Sequence, residues 1–299
     1  MLNKNSVQQF WSLLTPNIIG VFWMLIAVIL LTGMFAIAKY LTKTLPIIEV
    51  ASFRFSMSLL FYIPWLCKAG FGALKTSRHF AHFWRSAFGC TSLACGVYAV
   101  HHLLLADAQV LTFTIPLWSI LLAAFVLRER IRIDRTLATI VGFVGVIIVV
   151  QPQAGIDVAS LVALLAAILA SCAITTMKHL TRTEPSNRIV FYFLLWGTII
   201  IGIPAIFDWV WPNWKEWLWL IALGFFGSVG QYCLTRAYAA GDMTLIAPLD
   251  FTRIIVAAFY GYLMFNEIPG ATSLIGATVI VISCGYIVRQ EAFTKKKKT

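Results

Sequence analysis

From Ile18 to Ala38 the chain runs for 21 residues without a charged side chain. At 1.5 Å per residue, a helix of that length covers roughly the 30 Å of hydrocarbon in a bilayer. Six more charge-free runs follow, at Ala108–Leu127, Thr136–Ile156, Val158–Met177, Ile189–Phe207, Trp217–Thr235 and Ile268–Val288. Three further apolar segments carry isolated ionisable groups: 47–67 with Arg54, 82–104 with Arg85, His101 and His102, and 244–266 with Asp250 and Arg253. In lipid every backbone polar group must be satisfied internally, and runs this long can do so only as helices. The expected fold is therefore an all-α membrane protein of ten transmembrane helices. Composition agrees, since 12% of residues are charged, against about a quarter in a soluble domain.

The first run is as long as a full span and lacks an Ala-x-Ala-like exit, so it is expected to remain in the mature protein. The net charge of +11 could suggest nucleic acid, but the positive charge is sorted by loop. With a cytoplasmic N-terminus, seventeen of the 23 Lys and Arg fall on inside segments. Outside lie only Lys39, Lys43 and Lys215, and Arg54, Arg85 and Arg253 sit at membrane depth. That bias places both termini in the cytoplasm by the positive-inside rule. The KKKK run at 295–298 then reads as an anchor near anionic lipid.

The stretch KYLTKTLP at 39–46 returns 139 positions later as KHLTRTEP at 178–185. GVYAVHHLLLAD (96–107) likewise resembles GQYCLTRAYAAGD (230–242), and FVLRE (125–129) resembles LMFNE (263–267). One copy follows the first span and the other the sixth, so an odd number of crossings separates them. The expected organisation is two inverted five-helix repeats, 1–152 and 153–299, of the kind that supports alternating access.

The segments EVASFRF (49–55), KTSRHFAHFWR (75–85), TFTIPLWSILLAAFVLRE (112–129) and APLDFTRIIVAAFYGYLMFNEIP (247–269), arranged in two halves, resemble the EamA family of the drug/metabolite transporter superfamily. The resemblance covers nearly the whole chain and implies a bacterial inner-membrane carrier with a central cavity lined by both halves. KTSRHFAHFWR and the second-half motif are especially similar to those of S-adenosylmethionine carriers. Family membership implies cargo among amino acids, nucleotide-like compounds and other metabolites.

A charge at the centre of a spanning helix costs about 2.5–3.5 kcal/mol, so each one kept should face protein or water. Arg54 and Arg253 lack a basic counterpart in the other half and are candidate substrate-binding residues. Asp250 lies three residues before Arg253, on one helical face. The pair either neutralises Arg253 for insertion or grips a charged cargo. Arg85 reads as a boundary residue beside a basic loop. His101, His102 and Asp250 are candidates for proton coupling or gating. Ser171, Thr175 and Lys178 form a polar stripe expected to point inward, and Tyr98, Trp118 and Tyr232 could stack on cargo. Pro116 and Pro248 are expected to break their helices where protein or water can satisfy the freed carbonyls. Gly224, Gly227 and Gly230, mirrored by Ser86, Cys90 and Ala94, read as ridges for close helix approach. The Trp cluster at 209–219 marks the outer interface.

The six cysteines show no metal-ligand spacing and read as packing residues. No P-loop, dinucleotide fingerprint or nucleophile elbow occurs. The expectation is a carrier and not an enzyme, without metal or cofactor. Its partners are a small-molecule substrate and membrane lipids, with no nucleic acid, and a monomer is compatible with every feature.

Overall fold

The structure is a computed structural model that describes residues 16–115, 117–118, 133–150, 157–240 and 247–296. Among them are ten α-helices: α1 (Pro16–Leu41), α2 (Ile47–Ala69), α3 (His79–His102), α4 (Leu105–Thr112), α5 (Ile133–Val150), α6 (Val158–Leu180), α7 (Ser186–Ala205), α8 (Trp214–Ala240), α9 (Arg253–Phe265) and α10 (Ala271–Lys296). Five stretches are long and apolar enough to cross a membrane: Ile18–Leu41, Ile47–Ala69, Val158–Leu180, Ser186–Asp208 and Trp214–Ala240. Residues 140–149, 253–265 and 271–283 form shorter apolar helices. α3 has the length, but His82, Arg85, His101 and His102 dilute its apolarity.

The repeated signature builds the same turn twice. Thr42 and Thr181 donate their hydroxyls to the carbonyls of Lys39 and Lys178, and Thr44 and Thr183 donate theirs to Leu41 and Leu180. These are the carbonyls that a helix end leaves without intrahelical partners. Pro46 and Pro185 then stand immediately before α2 and α7. There their fixed φ suits a helix start and no N–H is wasted. Each Pro thus ends one turn and launches the next helix.

The two turns occupy opposite ends of the bundle. Lys39 Nζ donates to Leu103 O at the end of α3. At the start of α3, Thr76 donates to Glu184 at 2.6 Å and Arg78 meets His179 at 3.1 Å. α3 has 24 residues, which separates these ends by about 36 Å. The helix pairings are unchanged when the halves are exchanged. α1 packs on α8 as α3 packs on α6, α2 on α8 as α7 on α3, and α9 on α1 as α4 on α6. α2–α7, α4–α9 and α5–α10 pair equivalent helices.

Equivalent residues also clamp equivalent loops. Glu49 accepts from Val210 N at 3.0 Å, and Arg188, 139 positions on, donates to Ala73 O at 2.6 Å. Arg188 also pairs with Glu184. Burial opposes ionisation of Glu184, but hydrogen bonds from Thr76 and Arg188 outweigh it and hold the carboxyl below the usual carboxylate value.

Small residues let the helices approach closely. A Cβ on Gly224 of α8 would lie 2.9 Å from the Met57 backbone carbon, and one on Gly276 of α10 would lie 2.8 Å from Gly145 O. The outward faces are apolar, with Leu25, Ile29, Leu161, Ile199 and Ile221 exposed, which suits a bundle solvated by lipid. At the Lys39 end Trp211 and Trp214 are exposed, and Trp209 and Trp217 pack on Phe53. The described cysteines are all free.

Gly224→Val and Gly276→Val should each lower stability by about 1–3 kcal/mol through overpacking, read as thermal unfolding in detergent; unchanged midpoints would contradict these contacts. The Glu184 contribution, from a depressed carboxylate, is complete above the usual carboxylate pKa and is lost as pH falls through the lower folded-state value. The stability gap between wild type and Glu184→Gln should accordingly shrink on acidification and hold at neutral pH.

Candidate functional site

A cavity of about 160 Å³ lies between the two halves, walled by α1, α2, α3, α6, α7, α8 and the segments at the broken ends of α4 and α9. Its volume comes from small side chains at helical spacing. α3 contributes Arg85, Gly89, Ser92 and Gly96, and α6 faces them with Ala166, Ala170, Ala173 and Met177. Both sets follow i, i+4, i+7, i+11, one face of a helix.

The helix breaks are built alike. α4 ends at Thr112, the chain turns at Phe113 and Thr114, and helical geometry resumes at Ile115. In the second half a 3₁₀ turn, Ala247–Thr252, leads into α9. Thr114 donates to Leu111 O at 2.7 Å, and Thr252, 138 positions on, donates to Leu249 O at 2.6 Å. Pro248 lies in this second break, whereas Pro116 is outside the described residues. By the same offset Thr112 and Ile115 answer to Asp250 and Arg253, and all four line the cavity. The architecture is repeated, but the charge is present in one half only.

Three guanidiniums and one carboxylate reach the cavity. Arg253 Nη2 donates to Asp250 Oδ1 at 2.6 Å, with side chains 12% and 23% exposed. Arg54 and Arg85 are 2% and 3% exposed. Arg54 Nε meets Met34 Sδ at 3.5 Å, and Arg85 Nη2 meets Met177 Sδ at 3.7 Å; thioether sulfur is a weak acceptor. The guanidinium of Arg85 lies 3.7 Å from the Phe193 ring centroid, and that of Arg54 lies 5.2 Å from it. Among the described residues Arg54 Nη1 and Arg85 Nε and Nη1 have no hydrogen-bond partner. Space for Arg54 depends on Gly227, where a Cβ would come within 3.1 Å of Arg54 Nε.

Of the residues singled out in the sequence, the cavity wall brings together Arg54, Asp250 and Arg253. Arg85 joins them from within the bundle, not from its boundary. The signal for it was the stripe Arg85, Gly89, Ser92, Gly96, legible only if small residues are counted as lining. Tyr98, Trp118, Ser171, Thr175, Tyr232, His101 and His102 are not in the wall. Tyr98 stacks on His102, Tyr232 packs against Trp23, and Trp118 donates to Thr114 Oγ1. His102 is exposed and close to the Tyr98 carbonyl. Thr175 is exposed, contrary to the expected inward stripe. Its hydroxyl donates to Ser171 O, so it needs no polar neighbour beyond its own helix.

Lys39 pairs with Glu267, whose Oε2 accepts from Leu105 N at 2.9 Å, tying α1, α4 and the α9–α10 connection together. Among the described residues no group of three or more His, Cys, Asp or Glu could hold a metal ion.

Residues 18–151 and 158–289 each match the EamA-like transporter family. The chain belongs to that family. As an EamA protein it is a multi-pass membrane transporter and not an enzyme. An S-adenosylmethionine uptake transporter of Rickettsia bellii is 33% identical over 94% of this chain and 97% of its own. The pseudopaline exporter CntI of Pseudomonas aeruginosa is 32% identical over 89% and 94%. A riboflavin transporter of Brucella anthropi is 29% identical over 85% and 93%. A crystal structure 20% identical in sequence shares the EamA protein's fold, with a TM-score of 0.65 over 91% of this chain and 98% of the other.

Asp250→Asn should leave Arg253 without its anion and lower thermal stability by about 1–3 kcal/mol, and adding Arg253→Gln should restore most of the loss. A double-mutant cycle with no coupling would show that the pair adds nothing to the fold.

Proposed function

We propose that this protein is a secondary carrier of the bacterial cytoplasmic membrane that moves a small carboxylate-bearing metabolite, an amino acid or amino-acid derivative, by alternating access. The observation that carries this reading is the cavity between exchangeable halves, into which Arg54 and Arg85 bring donors that no described residue meets. Arginine grips a carboxylate through two parallel hydrogen bonds. The ten helices act as ten spans in two inverted halves, 1–152 and 153–299, with both termini cytoplasmic. The basic loops, which favour the cytoplasmic side, and the two turns at opposite ends of α3 support that arrangement.

In this conformation Lys39 and Glu267 seal the outer end, while the cavity continues along α3, α6 and α8 toward the Lys178 end. Exchange of the halves maps Lys39 onto Lys178 and Glu267 onto Glu129, which lies outside the described residues. An outward-open state therefore breaks the Lys39–Glu267 pair and closes the opposite end with the repeat-related side chains. Asp250, already at the cavity, is better placed than His101 or His102 to couple protonation to cargo.

S-adenosylmethionine is the second reading. It is carried by the Rickettsia relatives, whose names give that cargo, and it bears the amino-acid carboxylate that the arginines would hold. Proteoliposomes containing the purified carrier should show saturable uptake of a carboxylate-containing metabolite, reduced at least tenfold by Arg253→Gln or Arg85→Gln at equal protein incorporation. Robust flux confined to neutral or purely cationic solutes would overturn the substrate class.

A further inference from the structure

We infer that Arg54 and Arg85 form a single anion site across the ring of Phe193, and that the cargo is acidic, carrying more carboxylates than ammonium groups. This rests on the cavity being the cargo site. Among its lining residues the charged groups are Arg54, Arg85, Arg253 and Asp250. Asp250 and Arg253 neutralise one another, which leaves two guanidiniums, both nearly inaccessible to solvent and both in contact with one ring. Among the described residues their side-chain acceptors are the sulfurs of Met34 and Met177, and no carboxylate pairs with either. Two like charges held together out of water are costly unless an anion joins them.

The site is single because the repeat is broken at this point. The position 139 residues after Arg54 is Phe193, so exchange of the halves gives a ring and not another guanidinium. Arg85 lies 3.7 Å and Arg54 5.2 Å from the centre of that ring, with Phe55 a further 4.5 Å neighbour of Arg54, an arrangement worth more when desolvated that leaves the unmatched N–H groups for the cargo. One carboxylate can satisfy one planar fork. Two carboxylates satisfy both. A net cation such as S-adenosylmethionine would bring its sulfonium into a chamber that already holds uncompensated positive charge.

The test is ligand-induced thermal shift of the purified full-length protein with iminodiacetate, L-glutamate, citrate, L-alanine, L-methionine, S-adenosylmethionine and glycerol 3-phosphate as probes. The acidic amino-carboxylates and citrate should give the largest shifts. Arg54→Met and Arg85→Met should raise the concentration for half-maximal shift about tenfold or more, while raising the midpoint of the unliganded protein, because an unpaired buried charge is removed. Arg85→Lys should recover binding in part. A largest shift from L-alanine, L-methionine or S-adenosylmethionine, or acidic probes unaffected by the Met variants, overturns this inference and leaves the proposed carrier standing. A largest shift from glycerol 3-phosphate replaces carboxylate by phosphate. If none of the carboxylate-bearing probes shifts the midpoint, both readings fall, and variants destabilised without ligand would mark the arginines as structural.

Discussion

Two guanidiniums enclosed among apolar helices set the terms for everything around them. Water would hydrate each one strongly, and the bundle replaces that water with thioether sulfur and the face of a ring. Such contacts soften the cost of burial without supplying what a carboxylate would. Holding the charges there requires a scaffold that gives up stability locally and recovers it in close packing elsewhere. The glycines do much of this. Gly224 brings α8 against α2 at Met57, and Gly227 leaves the space in which Arg54 lies. Ser58 reinforces the crossing by donating to Gly224 O at 2.8 Å. The chemistry at the centre and the helix contacts beside it are thus one constraint.

Duplication would let this scaffold hold two arrangements in the proposed alternating-access carrier. Equivalent turns use the same threonine bonds, equivalent helix breaks use the same threonine bond, and the pairings survive exchange of the halves. A packing pattern that maps onto itself has a partner conformation of similar energy. The departures from equivalence are then where direction and selectivity enter. Arg54 faces its repeat counterpart Phe193, Asp250 and Arg253 stand where the first half has Thr112 and Ile115, and Glu49 and Arg188 clamp their loops with opposite charge.

What was legible in the sequence follows the physics of each feature. Lipid solvation forces long charge-free runs, so the five long apolar helices read off directly, whereas His82 and Arg85 keep α3 short of simple apolarity and the run from Ala108 breaks after Thr112. The signature Lys-x-Leu-Thr-basic-Thr-x-Pro is local chemistry and reads locally. Arg54, Asp250 and Arg253 were conspicuous because isolated charge at membrane depth demands a reason. Arg85 was misplaced because proximity to a basic loop looks the same in sequence whether the side chain turns outward or inward. Only its alignment with Gly89, Ser92 and Gly96 separates the two. The polar stripe through Thr175 misled for a related reason. A threonine that returns its proton to the carbonyl four residues back is no longer polar to its surroundings, so helical spacing alone says nothing about which way it faces. Aromatic residues such as Tyr98 and Tyr232 carried even less information, since packing uses the same rings as recognition.

The contrast between the closed end and the cavity bears on how movement is driven. Lys39 and Glu267 form an ion pair with further bonds to Leu103 O and Leu105 N, so opening that end forfeits several charge-assisted contacts at once. A carrier must recover that loss from something formed only in the other state, because a ligand with equal affinity for both states shifts nothing. The repeat-related turn at the opposite end supplies a lysine at the equivalent position, Lys178, beside a loop already tied by Glu184 and Arg188. In the proposed exchange, one sealed end would then replace the other at little cost to the protein. In the proposed carrier the energetic weight then falls on the donors of Arg54 and Arg85 that no described residue meets. On that reading, occupancy of the site decides when the proposed exchange is favourable.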